Sequence, residues 1–300
     1  MNDARKALII ASLAGDSLAL GAHWEYDPAR IAATHGRVET LLAPAPGSYH
    51  AGKGAGDFTH YGDQTMVLLE SVAARGSFDL DDFFDRWKTL FDAYAGYRDM
   101  ASKKTLSRIE FGEGPLTSGS PSNDLAGASR IAPILALPET GDALVAAAMA
   151  QTRMTHNNPQ VVEAAAFFAR ATRFALAGAS VTAALEQAAA AADPALPIAG
   201  WAAAGLALRG MPSVEALGTL GRTCHIDQAF PGTVQLLARH GDDLKTCLVE
   251  NVMAGGDSAA RGLLAGMVLG AAHGLGAVPG AWTDGLRRKD EILTLLNALP

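Results

Sequence analysis

Four glycines spaced four residues apart constrain this chain more than any other feature. In NVMAGGDSAARGLLAGMVLGAAHG, residues 251–274, Gly262, Gly266, Gly270 and Gly274 recur at every fourth position. On an α-helix such positions stack above one another and leave one face nearly bare. Each interior glycine costs roughly 0.5–1 kcal/mol relative to alanine. Several of them on one face imply that another backbone must come close. The helix from Ser258 to about Ala272 is therefore expected at the centre of the fold, packed on all sides. A transmembrane reading fails. The apolar run from Gly262 to Ala272 falls short of the roughly 20 residues a bilayer needs, and Asp257, Arg261 and His273 bound it. Gly255-Gly256 breaks whatever precedes the helix and leaves Asp257 at the N-cap position. Its carboxylate is either an ordinary cap for first-turn N–H groups or, beside Arg261, part of a site.

The rest of the chain also reads as helix. Asp3 to about Leu20 carries an apolar stripe that ends, unusually, in Asp16. Gln64–Ala74 follows Asp63. Asp79–Tyr94 places Leu80, Phe83, Phe84, Trp87, Leu90, Phe91 and Tyr94 on one face. Further helices are expected over Leu125–Leu135, Gly141–Met154, Asn157–Leu176, Val181–Ala192, Pro197–Leu208, Ser213–Thr219, Asp227–His240 and Asp242–Met253. The third of these opens on an Asn cap and Pro159. Glu25–Phe58 and Ala101–Asp124 read as irregular, and long irregular segments in compact proteins are usually functional or mobile. Arg37–Leu42 is the one weak strand candidate, and no fixed-period repeat occurs. The expectation is an all-α chain with residues 1–300 in one domain of roughly ten or more helices.

Composition narrows the function. With 49% hydrophobic residues the chain can bury a large core. A net charge of −7 argues against nucleic acid as the main partner, and no segment suits a membrane. Cys224 and Cys247 make no disulfide framework. The N-terminus lacks a signal-peptide pattern, so a cytoplasmic protein is expected.

Five stretches combine a glycine or turn with polar residues at a helix start. Gly15-Asp16-Ser17 is followed by His23-Trp24-Glu25-Tyr26. Gly62-Asp63-Gln64-Thr65 matches Gly256-Asp257-Ser258 in logic, so two acids could converge on one cation, or they are two unrelated caps. Ser122, Asn123 and Gly127 could donate to a phosphate near a helix N-terminus; loops of that composition are also commonplace. His156 precedes the Asn-Pro start and serves as either a cap or a catalytic group. Cys224-His225-Ile226-Asp227 lacks the further ligands at recognised spacing that zinc needs. No P-loop, dinucleotide fingerprint or Gly-x-Ser-x-Gly is present.

Taken in order, GDSLALGAHWE (15–25), YGDQT (61–65), SNDLAGASRIAP (122–133), THNNP (155–159) and GGDSAARGLLAGMVLGAAHG (255–274) resemble the ADP-ribosylglycohydrolase family over nearly the whole chain. The resemblance implies an orthogonally packed all-α fold. It also implies hydrolysis of the N- or O-glycosidic bond between ADP-ribose and a protein side chain, typically with two magnesium ions. The departures fall on metal ligands. Where the family has Thr-Asp-Asp-Thr, this chain has Gly62, Asp63, Gln64 and Thr65. Where it has Gly-Gly-Asp-Thr-Asp-Thr, this chain has Gly255, Gly256, Asp257, Ser258, Ala259 and Ala260. That leaves one magnesium ion at most, or none, held by Asp63, Asp257, Thr65 and Ser258. By the same resemblance Glu25 and Asp63 are the catalytic candidates. Asp16, Ser122, Asn123, Gly127, His156 and Arg261 would bind an ADP-ribose-like small molecule or an ADP-ribosylated protein. A non-catalytic binder of ADP-ribose or a nucleotide is the alternative, and a purely structural role a third reading.

Overall fold

The structure, a computed structural model, describes residues 2–139 and 141–300. Its regular elements are helical. They are α1 (Asp3–Ala19), α2 (Pro28–His35), α3 (His60–Arg75), α4 (Leu80–Asp92), α5 (Met100–Glu110), α6 (Ala126–Ser129), α7 (Ala132–Leu135), α8 (Ala143–Thr155) and α9 (Pro159–Leu176). There follow α10 (Val181–Ala190), α11 (Ile198–Ala207), α12 (Ser213–Leu220), α13 (Ile226–Arg239), α14 (Leu244–Met253), α15 (Ser258–His273), α16 (Gly280–Gly285) and α17 (Lys289–Ala298). Among the described residues there is no β-strand, only isolated bridges between Ser120 and His156 and between Asp124 and His225. The weak strand expected at Arg37–Leu42 is irregular chain.

The glycine stripe does what its spacing requires. Every residue of α15 from Ser258 to Ala271 is buried. A Cβ added at Gly262, Gly266 or Gly270 would come under 3.0 Å from the carbonyls of Gly15, Ala11 and Ala7 respectively. The contacts descend one helix as they climb the other, so α1 and α15 run antiparallel with backbones touching. Gly274 continues the register against the side chain of Asp3 in α1, where a Cβ would stand 2.8 Å from Oδ2. It ends the helix at φ +74°, a left-handed conformation that glycine adopts without a Cβ penalty. Around the pair, α9 and α13 supply Phe167, Phe168 and Phe230, whose rings meet edge to face at the centre of a continuous apolar core.

Two segments expected to be irregular contain helices. Asp27 caps α2 and Pro28 occupies its first turn. Asp99 caps α5 by accepting from Ser102 N at 2.6 Å. The single helix expected over Leu125–Leu135 is split at Arg130-Ile131, where Pro133 opens α7. Proline there has no N–H with which to continue α6. The split lets Arg130 turn inward, where Gln64 and Thr155 accept from its guanidinium.

Candidate functional site

Several helix N-termini meet at one cavity. Tyr61 lies in the first turn of α3, Asp99 caps α5, and Asp257 stands at the head of α15. Leu125 N donates to Cys224 O at 3.0 Å and Ile226 N to Asn123 O at 2.9 Å. This clasp brings Asp124, ahead of α6, beside Cys224, ahead of α13. One ligating atom each of Asp124, Cys224 and Asp257 lies within 4.8 Å of the others. Helix N-termini carry partial positive charge and favour carboxylates.

The chain around Gly255-Gly256 holds this arrangement. Trp24 N donates to Gly256 O at 3.0 Å, and Gly256 N donates to Glu25 O at 2.7 Å. Both glycines have positive φ. A Cβ at Gly255 would stand 2.7 Å from Glu25 O, and one at Gly256 would collide with the Arg222 carbonyl. Trp24 itself has φ 67°, the only non-glycine residue at positive φ among those described. Such a conformation in a bulky residue is costly, and residues held in this way cluster at functional sites. Its ring is thereby set edge-on to Tyr49 and Tyr97, at 4.9 and 5.1 Å between centroids. With Tyr26 and Tyr61 these rings wall a cavity of about 490 Å³. Asp99, Asp124, Met100 and Cys224 complete its lining.

The electrostatics separate the acids. Burial raises the pKa of both Asp124 and Asp257. Asp124 is pushed further by the facing charge of Asp257, whereas the Arg261 guanidinium opposes the shift at Asp257. The pair therefore holds one proton most readily on Asp124. Cys224 is pushed up by burial and then by these two carboxyls, so its thiol stays protonated. Asp99 differs. Burial opposes its charge, yet the imidazole of His60, 3.2 Å away, holds it well below the usual carboxylate range. His60 Nδ1 in turn meets His50 Nε2 at 3.1 Å.

The residues singled out from sequence divide into two groups. Asp257 and Arg261 are at the site. Asp257 makes no capping hydrogen bond. Its Oδ2 instead faces Tyr61 Oη at 3.4 Å, and its Oδ1 lies 3.6 Å from His23 Nε2. Arg261 is fully buried and donates to Asn251 Oδ1 and Gly255 O. His156 packs behind the site, against Gly127, where a Cβ would strike its ring. Ser122 Oγ accepts from Asp124 N, and Asn123 Nδ2 meets His225 Nδ1, so both brace the Asp124 loop. The expected pairing of Asp63 with Asp257 is not formed. Two helical positions separate Tyr61 from Asp63, a rotation of roughly 200°. With Tyr61 turned to Asp257, Asp63 points away, to Lys53 Nζ at 2.6 Å and Tyr94 Oη at 2.5 Å. It lines a different, open groove with Arg86 and Arg288. Glu25 is engaged by Asp27 N and Arg30. Asp16 is fully buried and bound to Thr59, and Thr65 Oγ1 donates within its own helix to Tyr61 O. Ser258 Oγ is buried without a partner.

The family model for ADP-ribosylglycohydrolase matches residues 2–300. This chain belongs to the ADP-ribosylglycohydrolase family. Crystallin J1B of Tripedalia cystophora is 24% identical over 314 aligned positions, covering 98% of this chain and 95% of that one. A solved structure described as an ADP-ribosylglycohydrolase-related protein complex has the same fold. Its TM-score is 0.74 at 24% identity, with 99% of this chain and 96% of that chain covered. Membership carries a glycohydrolase-type function at the coarse level. Among the described residues no helix is long and apolar enough to cross a membrane.

The ADP-ribosylglycohydrolase family's magnesium pair can be tested against these side chains. Magnesium wants an octahedron of oxygens and gives up water reluctantly. Asp63 is committed to Lys53. Gln64 Oε1 accepts from Trp87 and Arg130. Ala259 and Ala260 offer no side-chain oxygen, and a buried guanidinium stands beside Asp257. This donor set does not fit two magnesium ions.

Sequence reasoning passes over Asp124, Tyr61, Tyr97 and Asp99, and sets Cys224 aside. Asp124 and Tyr61 lie inside the family-like motifs without standing out there, and the residues that meet Cys224 are not its sequence neighbours His225 and Asp227. Its partners come from loops about 100 and 33 positions distant, which spacing rules do not register. Asp99 has a usable signal, as an N-cap with Ser102 three residues on.

Proposed function

We propose that this chain hydrolyses an ADP-ribosyl or related ribosyl glycosidic bond with Asp124 as proton donor and then acceptor, Asp257 as the ionised carboxylate beside it, and no magnesium pair. The observation that carries this is the juxtaposition of Asp257, fully buried, with Asp124, a half-buried carboxyl in the wall of the aromatic cavity. Asp124, the better proton holder, donates to the departing oxygen or nitrogen as the bond to the anomeric carbon breaks. Asp257, held toward ionisation by Arg261, stabilises the oxocarbenium-like ribose, and Asp124, having given up its proton to the leaving group, takes one from the water that then attacks. Asp99 and the tyrosines hold the ribosyl group and its acceptor. Glu25 and Asp63 take supporting places elsewhere. The test is ADP-ribose release from a panel of N- and O-linked ADP-ribosyl peptides in the presence of a chelator. Asp257→Asn and Asp124→Asn should each lower the rate by roughly 10²–10⁴. Undiminished turnover in both would reject the assignment.

Two observations favour a non-catalytic reading. The replaced positions Gln64, Ala259 and Ala260 remove the family's metal chemistry, and the curated relative is a crystallin. In that reading ADP-ribose raises the melting temperature and no peptide is cleaved.

A further inference from the structure

We propose that Asp124, Cys224 and Asp257 form a binding site for one thiophilic divalent cation of the zinc class. The three side chains come from three separate loops, and one ligating atom of each lies within 4.8 Å of the other two. In a tetrahedral zinc site, with bonds of about 2.0–2.3 Å, ligand atoms stand about 3.3–3.6 Å apart. The remaining gap is at most about 1.5 Å, of the size that a change of side-chain rotamer spans.

A second observation points to a missing ligand. Asp257 is fully buried, yet its Oδ1 has no hydrogen-bond partner. His23 Nε2 lies 3.6 Å from that oxygen, beyond hydrogen-bond range, and is also buried without a partner. Two orphaned polar groups facing each other are costly unless something binds between or beside them. A cation on Asp257 satisfies the carboxylate, and His23 becomes the outer hydrogen-bond partner that metal-bound carboxylates usually have.

The chemistry of the set selects the ion. Two carboxylates and a thiol are too few oxygens for magnesium and include a soft donor that magnesium does not take. Zinc binds three protein ligands and leaves a fourth position open. Here that position faces the cavity, because Asp124 and Cys224 both line it. Charge also closes. Two carboxylates and a thiolate carry three negative charges, which the ion and Arg261 neutralise. The thiol proton and the proton held by Asp124 both leave to solvent as the bonds to the ion form. The site stands independently of the hydrolytic reading, although an ion there would cover both carboxylates and block them.

Cobalt(II) titrated into the chelator-treated full chain tests this. One equivalent should bind and give a thiolate-to-cobalt charge-transfer band in the near ultraviolet, which one equivalent of zinc abolishes and excess magnesium does not. Cys224→Ser should lose the band. Cys247→Ser, which alters the only other thiol, should keep it. Asp257→Asn should weaken cobalt binding at least roughly tenfold. A cobalt complex without the band, or a band that survives in Cys224→Ser, overturns the proposal. Should Cys224→Ser fail to fold, the parent spectrum and its displacement by zinc, read against Cys247→Ser, still decide.

Discussion

Asp16 shows what burial does to a single carboxyl in this chain. It is fully buried, accepts from Thr59 N at 2.8 Å and meets Thr59 Oγ1 at 2.5 Å. Burial outweighs both bonds and raises its pKa from 3.8 to about 7. The unfolded chain ionises this group near pH 4, whereas the folded chain holds the proton until about pH 7. Its contribution to stability is thus fully present below pH 4 and is lost as pH rises through 7. Asp16→Asn cannot ionise. Urea melts at pH 5 and pH 8 should show the parent losing more stability than the variant across that interval, while parallel losses would contradict the account. Asp16 is conspicuous in the sequence for a related reason. An acid ending an apolar stripe is legible as an anomaly, but its partner Thr59, 43 residues on, is not.

At the level of elements, the α1–α15 seam is legible because glycine repeated at every fourth position weakens a helix unless a second backbone packs against it. Gly266→Ala tests it. Helix propensity alone would stabilise the substitution by roughly 1 kcal/mol. The added Cβ would instead meet the Ala11 carbonyl closer than a methyl group can stand. Backbone displacement in a packed core should cost more than the ~1–3 kcal/mol typical of overpacking. Urea denaturation should show a clear loss, and a variant as stable as the parent would show that the helices separate readily. Elements defined by caps alone are harder to see. α2 and α5 are short and carry few large apolar residues, so Asp27 and Asp99 supply the start signal. The break between α6 and α7 depends on Arg130 finding Gln64 and Thr155, a tertiary effect that periodicity does not contain.

Across the whole molecule, the fold gathers helix N-termini around one cavity and leaves the acids there with unequal surroundings. The motifs identify the family and place Asp257 in the site. They do not place Asp124, Cys224 and Asp99 beside the cavity, because long-range loop clasps such as Leu125 to Cys224 create that proximity. The central claim is that Asp124 works protonated and Asp257 ionised. The pH profile of kcat/KM for ADP-ribose release, measured with a chelator present, tests it most directly. The rate should rise as Asp257 loses its proton, at a pH above the usual carboxylate range, and fall at higher pH as Asp124 loses its own. The two limbs report the pair as a unit. A bell-shaped profile whose alkaline limb disappears from the residual activity of Asp124→Asn is the predicted result. A rate that stays constant from about pH 5 to pH 9, or a parent profile that Asp124→Asn reproduces unchanged, would contradict it.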